Sequence, residues 1–318
     1  MHVGIAGEVR CVVTKVDGEV KIDTGFQKNL ILNQGLDFFG GGKGSDINAS
    51  CAIGSGNSAP ATNQTKLDSF IALTSGTDTT SDYSYVDKGD GLYRIWEQRK
   101  YRFAGLDNVN ISEVGLVSTG TTSENYYLTT RALIKDSAGA PTSISVKTGE
   151  TLDIYYRIHK VIDTRDKLFV VNMLDGDGRS VPYNVVTRSM MVGSSDYHSV
   201  VKPSNIDRNY LRVTEAELAA VTSRPTLGIF YEGKLSLGAY TPTSFKRLLT
   251  ISLGLNDANL PIRSLGLGIQ GTAYNSFPFM PFQIRFGSVA DDSPIPKTNK
   301  DILTIPLEFS WGRYEGTL

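Results

Sequence analysis

The chain has 318 residues, 40% of them hydrophobic and 20% charged, which is enough apolar material for one large or two ordinary globular domains and excludes a disordered tail or a coiled coil. Lys and Arg number 32 against 33 Asp and Glu, a net charge of −1, so there is no field to hold a polyanion and nucleic acid is not an expected partner. Gly (32) and Pro (12) favour turns and strands over helices.

The first residues, Met1-His-Val-Gly-Ile-Ala-Gly-Glu8, lack a basic n-region and a sustained apolar stretch, and no apolar run reaches the roughly 18 residues of a membrane span. The expected product is made in the cytoplasm and has no membrane partner. Cys11 and Cys51 are too few for a disulfide framework, have no metal-ligand spacing, and read as buried thiols. Asp17-Gly18, between Cys11–Val16 and Glu19–Ile22, signals a type I′ hairpin. Gly40-Gly-Gly-Lys-Gly-Ser45 resembles a phosphate loop, but glycine follows Lys43 where magnesium binding needs a hydroxyl, so it reads as a flexible loop. Thr65-Lys-Leu-Asp68 and Thr214-Glu-Ala-Glu217 have capping-box patterns and predict short helices over Thr65–Ala72 and Thr214–Val221.

The segment Tyr93–Phe103 reads as a strand with Arg94, Trp96, Gln98, Lys100 and Arg102 on one face and Tyr93, Ile95, Glu97, Arg99, Tyr101 and Phe103 on the other. Arginine and aromatics dominate interface hot spots, which makes Arg94, Trp96, Lys100 and Arg102 candidate interface residues; the alternatives are an amphipathic strand with solvated charges, or a face that meets phosphates or acidic sugars. Further strands are expected at Tyr126–Ile134, Thr142–Val146, Thr226–Tyr231, Phe245–Leu253 and Phe282–Phe286. In two places the alternation is longest. Leu152, Ile154, Tyr156 and Ile158 alternate with Asp153, Tyr155, Arg157 and His159; Leu303, Ile305, Leu307, Phe309 and Trp311 alternate with Thr304, Pro306, Glu308 and Ser310. Both read as half-buried antiparallel strands, and Pro306, which cannot donate, predicts an edge position or irregular pairing for the second.

Self-comparison finds three collinear matches. Ile111-Ser-Glu-Val-Gly-Leu116 recurs 151 positions later as Ile262-Arg-Ser-Leu-Gly-Leu267, and Lys147-Thr-Gly-Glu-Thr-Leu-Asp-Ile154 recurs 150 positions later from Lys297. Cys11-Val-Val-Thr-Lys-Val-Asp-Gly18 is echoed at an offset of 158 by Phe169-Val-Val-Asn-Met-Leu-Asp-Gly176. The expected fold is all-β: two tandem, similar antiparallel β-sandwich (jelly-roll-like) domains, 1–163 and 164–318, with a few short helices and a boundary near Asp163–Asp166.

Catalytic chemistry finds little support. Asp175-Gly-Asp-Gly178 lacks the distal bidentate glutamate of a calcium loop and reads as a tight turn. The histidines are His2, His159 and His198; Asp196-Tyr-His-Ser199 holds triad residue types, but neighbours on a strand alternate faces. There is no nucleophile elbow, zinc motif or dinucleotide fingerprint. No enzyme activity, cofactor, metal or catalytic residue is expected.

Cys51-Ala-Ile-Gly-Ser-Gly-Asn-Ser-Ala-Pro60, Thr65-Lys-Leu-Asp68, Ile111–Leu116, Ala140-Pro141 and Lys147–Tyr156 in that order resemble structural proteins of tailed-bacteriophage tails, collars, baseplates and fibre attachments. The resemblance covers about Cys11 to Lys160; the Gly-Ser-Gly segment has no clear copy in the second half. It implies a non-enzymatic virion component, a homo-oligomer that assembles with other virion tail proteins into a ring or connector. The alternative is a carbohydrate-binding host-recognition module, for which 15 Tyr and 13 Phe offer stacking platforms for a host surface glycan.

Overall fold

The computed structural model describes residues 2–41, 47–75, 78–87, 89–120, 125–190, 209–223, 227–269 and 282–318. The described residues are mostly in strands, with one α-helix among them, and the fold is all-β. The chain forms two compact units: the first holds Gly4–Ser84, Ile95–Val161 and Trp311–Leu318, the second Met1–Val3, Tyr85–Arg94 and Ile162–Ser310. Each is described separately.

The first stretch of chain contributes β1 (His2–Thr14), β2 (Val20–Asp23), β3 (Gln27–Ile31), α1 (Asn33–Gly41), β4 (Ser50–Gly54), β5 (Phe70–Ser75), β6 (Asp78–Asp87), β7 (Leu92–Phe103), β8 (Val109–Ile111), β9 (Glu113–Gly120), β10 (Tyr126–Leu128), β11 (Thr130–Leu133), β12 (Ile144–Val146) and β13 (Thr151–Asp163). The main path of hydrogen-bonded neighbours is β1-β3-β11-β9-β4-β5, with β13 on β1 and β7, β6 on β7, and β8 on β12. Leu32, Ala52, Leu67, Val117, Tyr126 and Leu128 form one core cluster. Cys11 and Cys51 are free and fully buried, and burial pushes the Cys11 thiol up to about 12.

The second unit is built from β14 (Lys167–Leu174), β15 (Ser180–Ser189), β16 (Asn209–Thr214), β17 (Ile229–Glu232), β18 (Leu235–Leu237), β19 (Lys246–Leu253), β20 (Pro261–Ile262), β21 (Ser264–Ile269), β22 (Phe282–Ser288), β23 (Ile295–Pro296) and the start of β24 (Leu303–Arg313). Here the path is β14-β15-β22-β21-β16-β17, with β18-β19-β24 and the short pair β20-β23 beside it. Read in chain order, the path β14-β15-β22-β21-β16-β17 follows the same order as β1-β3-β11-β9-β4-β5, but β24, unlike β13, is not paired with the first strand of its unit. Local hydrogen bonds match as well. Ser112 N donates to Gly54 O (3.0 Å) and Ile134 N to Ser112 O (2.8 Å), as Arg263 N donates to Thr214 O (2.9 Å) and Phe286 N to Arg263 O (2.9 Å). In each, a jog of one residue, Ser112 or Arg263, separates the short strand ending at Ile111 or Ile262 from the long one that follows.

Several expectations need correction. Thr65–Ala72 is not helical, because sheet side chains take its backbone donors: Leu67 N donates to Tyr126 Oη (2.7 Å) and Asp68 N to Glu113 Oε2 (3.2 Å). Thr214 ends β16 instead of opening a helix; its Oγ1 accepts from Ala216 N (3.0 Å), and Ala219 N donates to Gln283 Oε1 (2.9 Å). The helix that does form, α1, buries Leu36, Phe38 and Phe39. Gly35 allows its close approach, since a Cβ there would lie 2.2 Å from Thr129 O.

The Asp17-Gly18 hairpin is a type I turn with a glycine bulge, not I′: Gly18 takes φ +90°, its N donates to Lys15 O (3.0 Å), and Lys15 N donates to Glu19 O (2.9 Å). Asp175–Arg179 has the same turn around Gly178 (φ +77°), so the counterpart of Gly18 is Gly178 and the third sequence match shifts from 158 to 160 positions. Pro306 sits opposite Thr250 in a β19–β24 register that runs unbroken from Leu253↔Leu303 to Lys246↔Ser310. The alternation of β24 holds, with Leu303, Ile305, Phe309 and Trp311 buried and Thr304, Pro306 and Glu308 exposed; β13 departs from it, because Asp153 and His159 are buried beside the apolar set.

Candidate functional site

The strand β7 was singled out for its arginines and tryptophan, and the structure places them unequally. Arg94 is buried and paired with Asp90 (3.0 Å), so its side chain is not on a surface. It also belongs to the second unit, whereas Trp96, Lys100 and Arg102 belong to the first. Ile95, Tyr101 and Phe103 point into the core as the alternation requires.

On the opposite face β7 lies beside β13, and cations meet aromatics there. The Arg157 guanidinium sits 3.7 Å from the Phe26 ring centre and 4.5 Å from that of Trp96, and its Nε donates to Gln98 Oε1 (2.9 Å). Arg102 makes a two-pronged contact with Asp153 (2.7 Å for each bond), and Lys100 lies 3.2 Å from the same carboxylate and 5.7 Å from the Tyr155 ring centre. Arg10 pairs with Asp23 (Nε to Oδ1, 2.8 Å) and lies 5.6 Å from the Tyr155 ring centre. His159 and Glu8 close the row at 3.0 Å.

Electrostatics favour charge in these pairs. Burial works to raise Asp153, but hydrogen bonds from Arg102 and Lys100 outweigh it and hold the carboxyl below its ordinary range. The hydrogen bond from His159 lowers Glu8. Asp23 lowers through its bond from Arg10, and Arg10 rises in return. The result is a half-exposed face of rings and guanidinium planes suited to stacking against a sugar, or to an aromatic or acidic side chain of a protein partner. Sequence reasoning named Trp96, Lys100 and Arg102 and missed Arg10, Phe26, Tyr155 and Arg157. Tyr155 and Arg157 were present in the alternation of β13, as the face opposite the apolar one.

The loop Gly54–Ala61 is held from inside. Glu113 and Arg131 have fully buried side chains, paired at 2.8 Å. Glu113 Oε1 accepts from Gly56 N (3.0 Å) and Ser69 N (2.9 Å); Arg131 donates to Ser58 O (3.0 Å), Gln64 Oε1 (2.9 Å) and Asp68 Oδ2 (2.8 Å). Every hydrogen-bonding atom of the pair has a loop or sheet partner, so the cluster fixes the loop. In the second unit the counterpart positions are Ser264, donating to Ala216 O (2.7 Å), and Gln283, which holds Ala219.

A cleft of about 540 Å³ in the second unit is lined by Leu174, Asp175, Tyr183, Lys297 and Ile302 among others. Lys297 Nζ is turned onto Gly254 O, Asn259 Oδ1 and Thr298 O. Asp175 and Gly178 form a turn, as the sequence suggests. The loop residues 42–45 and the segment Asp196–Ser199 with His198 lie outside the described residues. Among the described residues, no group of three or more His, Cys, Asp or Glu is placed to hold a metal ion, and no helix is long and apolar enough to cross a membrane. Compared with protein-family models, curated proteins and solved structures, the chain matches none.

Proposed function

We propose that the chain is a non-enzymatic structural component of a tailed-phage virion, located in the particle and assembled with other tail proteins and with copies of itself into a symmetric ring or connector of the tail, collar or baseplate. The observation that carries this reading is the convergence of the resemblance-bearing segments. Cys51–Pro60, Thr65–Asp68 and Ile111–Leu116 meet around Arg131, where their polar groups tie a loop to a sheet, the use a scaffold makes of buried charge. The finer architecture belongs to the same proposal: two tandem copies of one antiparallel, jelly-roll-like β-sandwich, divided near residue 163. The matching strand order and the paired hydrogen bonds at Ser112 and Arg263 support it.

Trp96, Lys100 and Arg102, with Arg157, are the proposed contact face. Trp96→Ala combined with Arg102→Gln leaves Lys100 to neutralise Asp153, so the fold should persist by circular dichroism while incorporation into particles falls. Ordinary incorporation would remove this face from the interface. Host-glycan recognition is the second reading, favoured by the ring cluster of Phe26, Trp96 and Tyr155. Binding of the isolated chain to host surface glycans, lost in Trp96→Ala, would favour it over the first.

A further inference from the structure

The two units differ sharply at their first strands. In the first unit β1 is paired with β3 and with β13, and its Ile5, Val9, Cys11 and Val13 are wholly buried. Its counterpart β14 pairs with β15 alone; among the described residues no strand lies on its other edge. Apolar residues on β14 are correspondingly bare: Leu168 is 71% exposed, Val170 58% and Leu174 75%. A long apolar edge without bulge or proline is a template for pairing with another strand.

We propose that β14 pairs antiparallel with β14 of a second copy of this chain, about a two-fold axis at Val171. This deepens the homo-oligomer part of the proposed function and does not depend on the virion part. The backbone fixes which groups are available. Asp175 N donates to Arg179 O at the end of the β14–β15 ladder, whose register runs from Leu174↔Ser180 to Lys167↔Thr187. Hydrogen-bonded positions alternate along an antiparallel pair, so Lys167, Phe169, Val171 and Met173 turn their peptide groups to β15. Leu168, Val170, Asn172 and Leu174 turn theirs outward.

A two-fold perpendicular to the sheet must set residues of one face opposite each other, and centring it on Val171 does so. Val170 then exchanges backbone bonds with Asn172 of the second copy, and Leu168 with Leu174 of the second copy. Phe169 meets Met173 of the second copy. At each end Lys167, already paired in its own chain with Asp163, comes opposite Asp175 of the second copy, so the register is complementary in charge as well as in apolar content. The occupant is a second copy because the strand complements itself.

Sedimentation of the full chain, together with oxidative cross-linking of Val171→Cys, tests the proposal. The native cysteines are buried and do not compete. The chain should sediment at twice its 34.6 kDa. Val171→Cys should give a disulfide-linked dimer, because only this position faces itself across the axis in a non-hydrogen-bonded pair, while Val170→Cys and Asn172→Cys, each facing the other, should cross-link at least about tenfold more slowly. Val170→Pro removes an outward N–H without touching the β15 ladder and should return the chain to a monomer with an unchanged circular dichroism spectrum. If that variant misfolds, the cysteine comparison decides alone. A monomeric wild-type chain, or a dimer in which the three cysteine variants cross-link alike, would overturn the proposal. A monomer still found in particles would leave the virion reading standing.

Discussion

Glu113 and Arg131 show how a buried charge pair becomes a structural fastening. Truncating one partner strands the other without its counter-charge, so Glu113→Ala or Arg131→Ala should cost about 3–5 kcal/mol, read as a fall in the urea midpoint at unchanged slope. Replacing both, as Glu113→Leu with Arg131→Met, should cost less than the two single changes added together, because neither member of the pair is left buried with its charge uncompensated, and Asp68, which also loses Arg131, is one-third exposed to water. Asp153 carries a pH dependence. Its folded pKa lies below the unfolded value of about 3.9, so the unfolded chain takes up protons first as pH falls. The stability it confers is present above about pH 4 and is lost as pH drops through the folded pKa. Asp153→Asn should therefore lower stability at neutral pH and flatten its decline in acid; equal declines in both proteins by urea titration would assign acid sensitivity to other carboxylates.

At the scale of elements, the apolar face of β13 and the alternation of β24 were legible from period two, whereas ion pairing buried Asp153 and His159 on the face of β13 expected to be polar. Ile154 and Ile305 lie on the buried faces that period two indicated, and Ile154→Ala or Ile305→Ala should each cost about 2–5 kcal/mol in denaturant melts. A loss under about 0.5 kcal/mol would mean that the neighbouring side chains do not pack there. The capping boxes failed for the same kind of reason in both units. Thr65–Asp68 and Thr214–Glu217 carry local helix signals, but Glu113, Tyr126 and Gln283, distant in sequence, claim the backbone donors that a helix would use. The helix α1 went unseen because Gly35, Gly40 and Gly41 hide its apolar spacing. For the cation–aromatic face, the strand bearing Trp96 was visible, but β13 beside it, and β1 beyond β13, are reached only by long-range pairing, so Arg157 and Arg10 could not be placed near it from spacing.

For the whole molecule, the match at an offset of 151 marked two positions with like pairing: Leu116 lies opposite Cys51 as Leu267 lies opposite Leu211. What sequence could not foretell is that equivalent strands meet different fates, β1 enclosed and β14 bare, because the difference lies in the company each strand keeps. Two β units, one with a loop fastened by buried charge and one with an open strand edge, are what the proposed assembly role would use. The most direct measurement is quantitative mass spectrometry of density-purified particles produced from the genome that encodes the chain. The account predicts the chain at a fixed multiple per particle, retained after washing in high salt. Its absence from particles, or a variable amount removed by the wash, would contradict it.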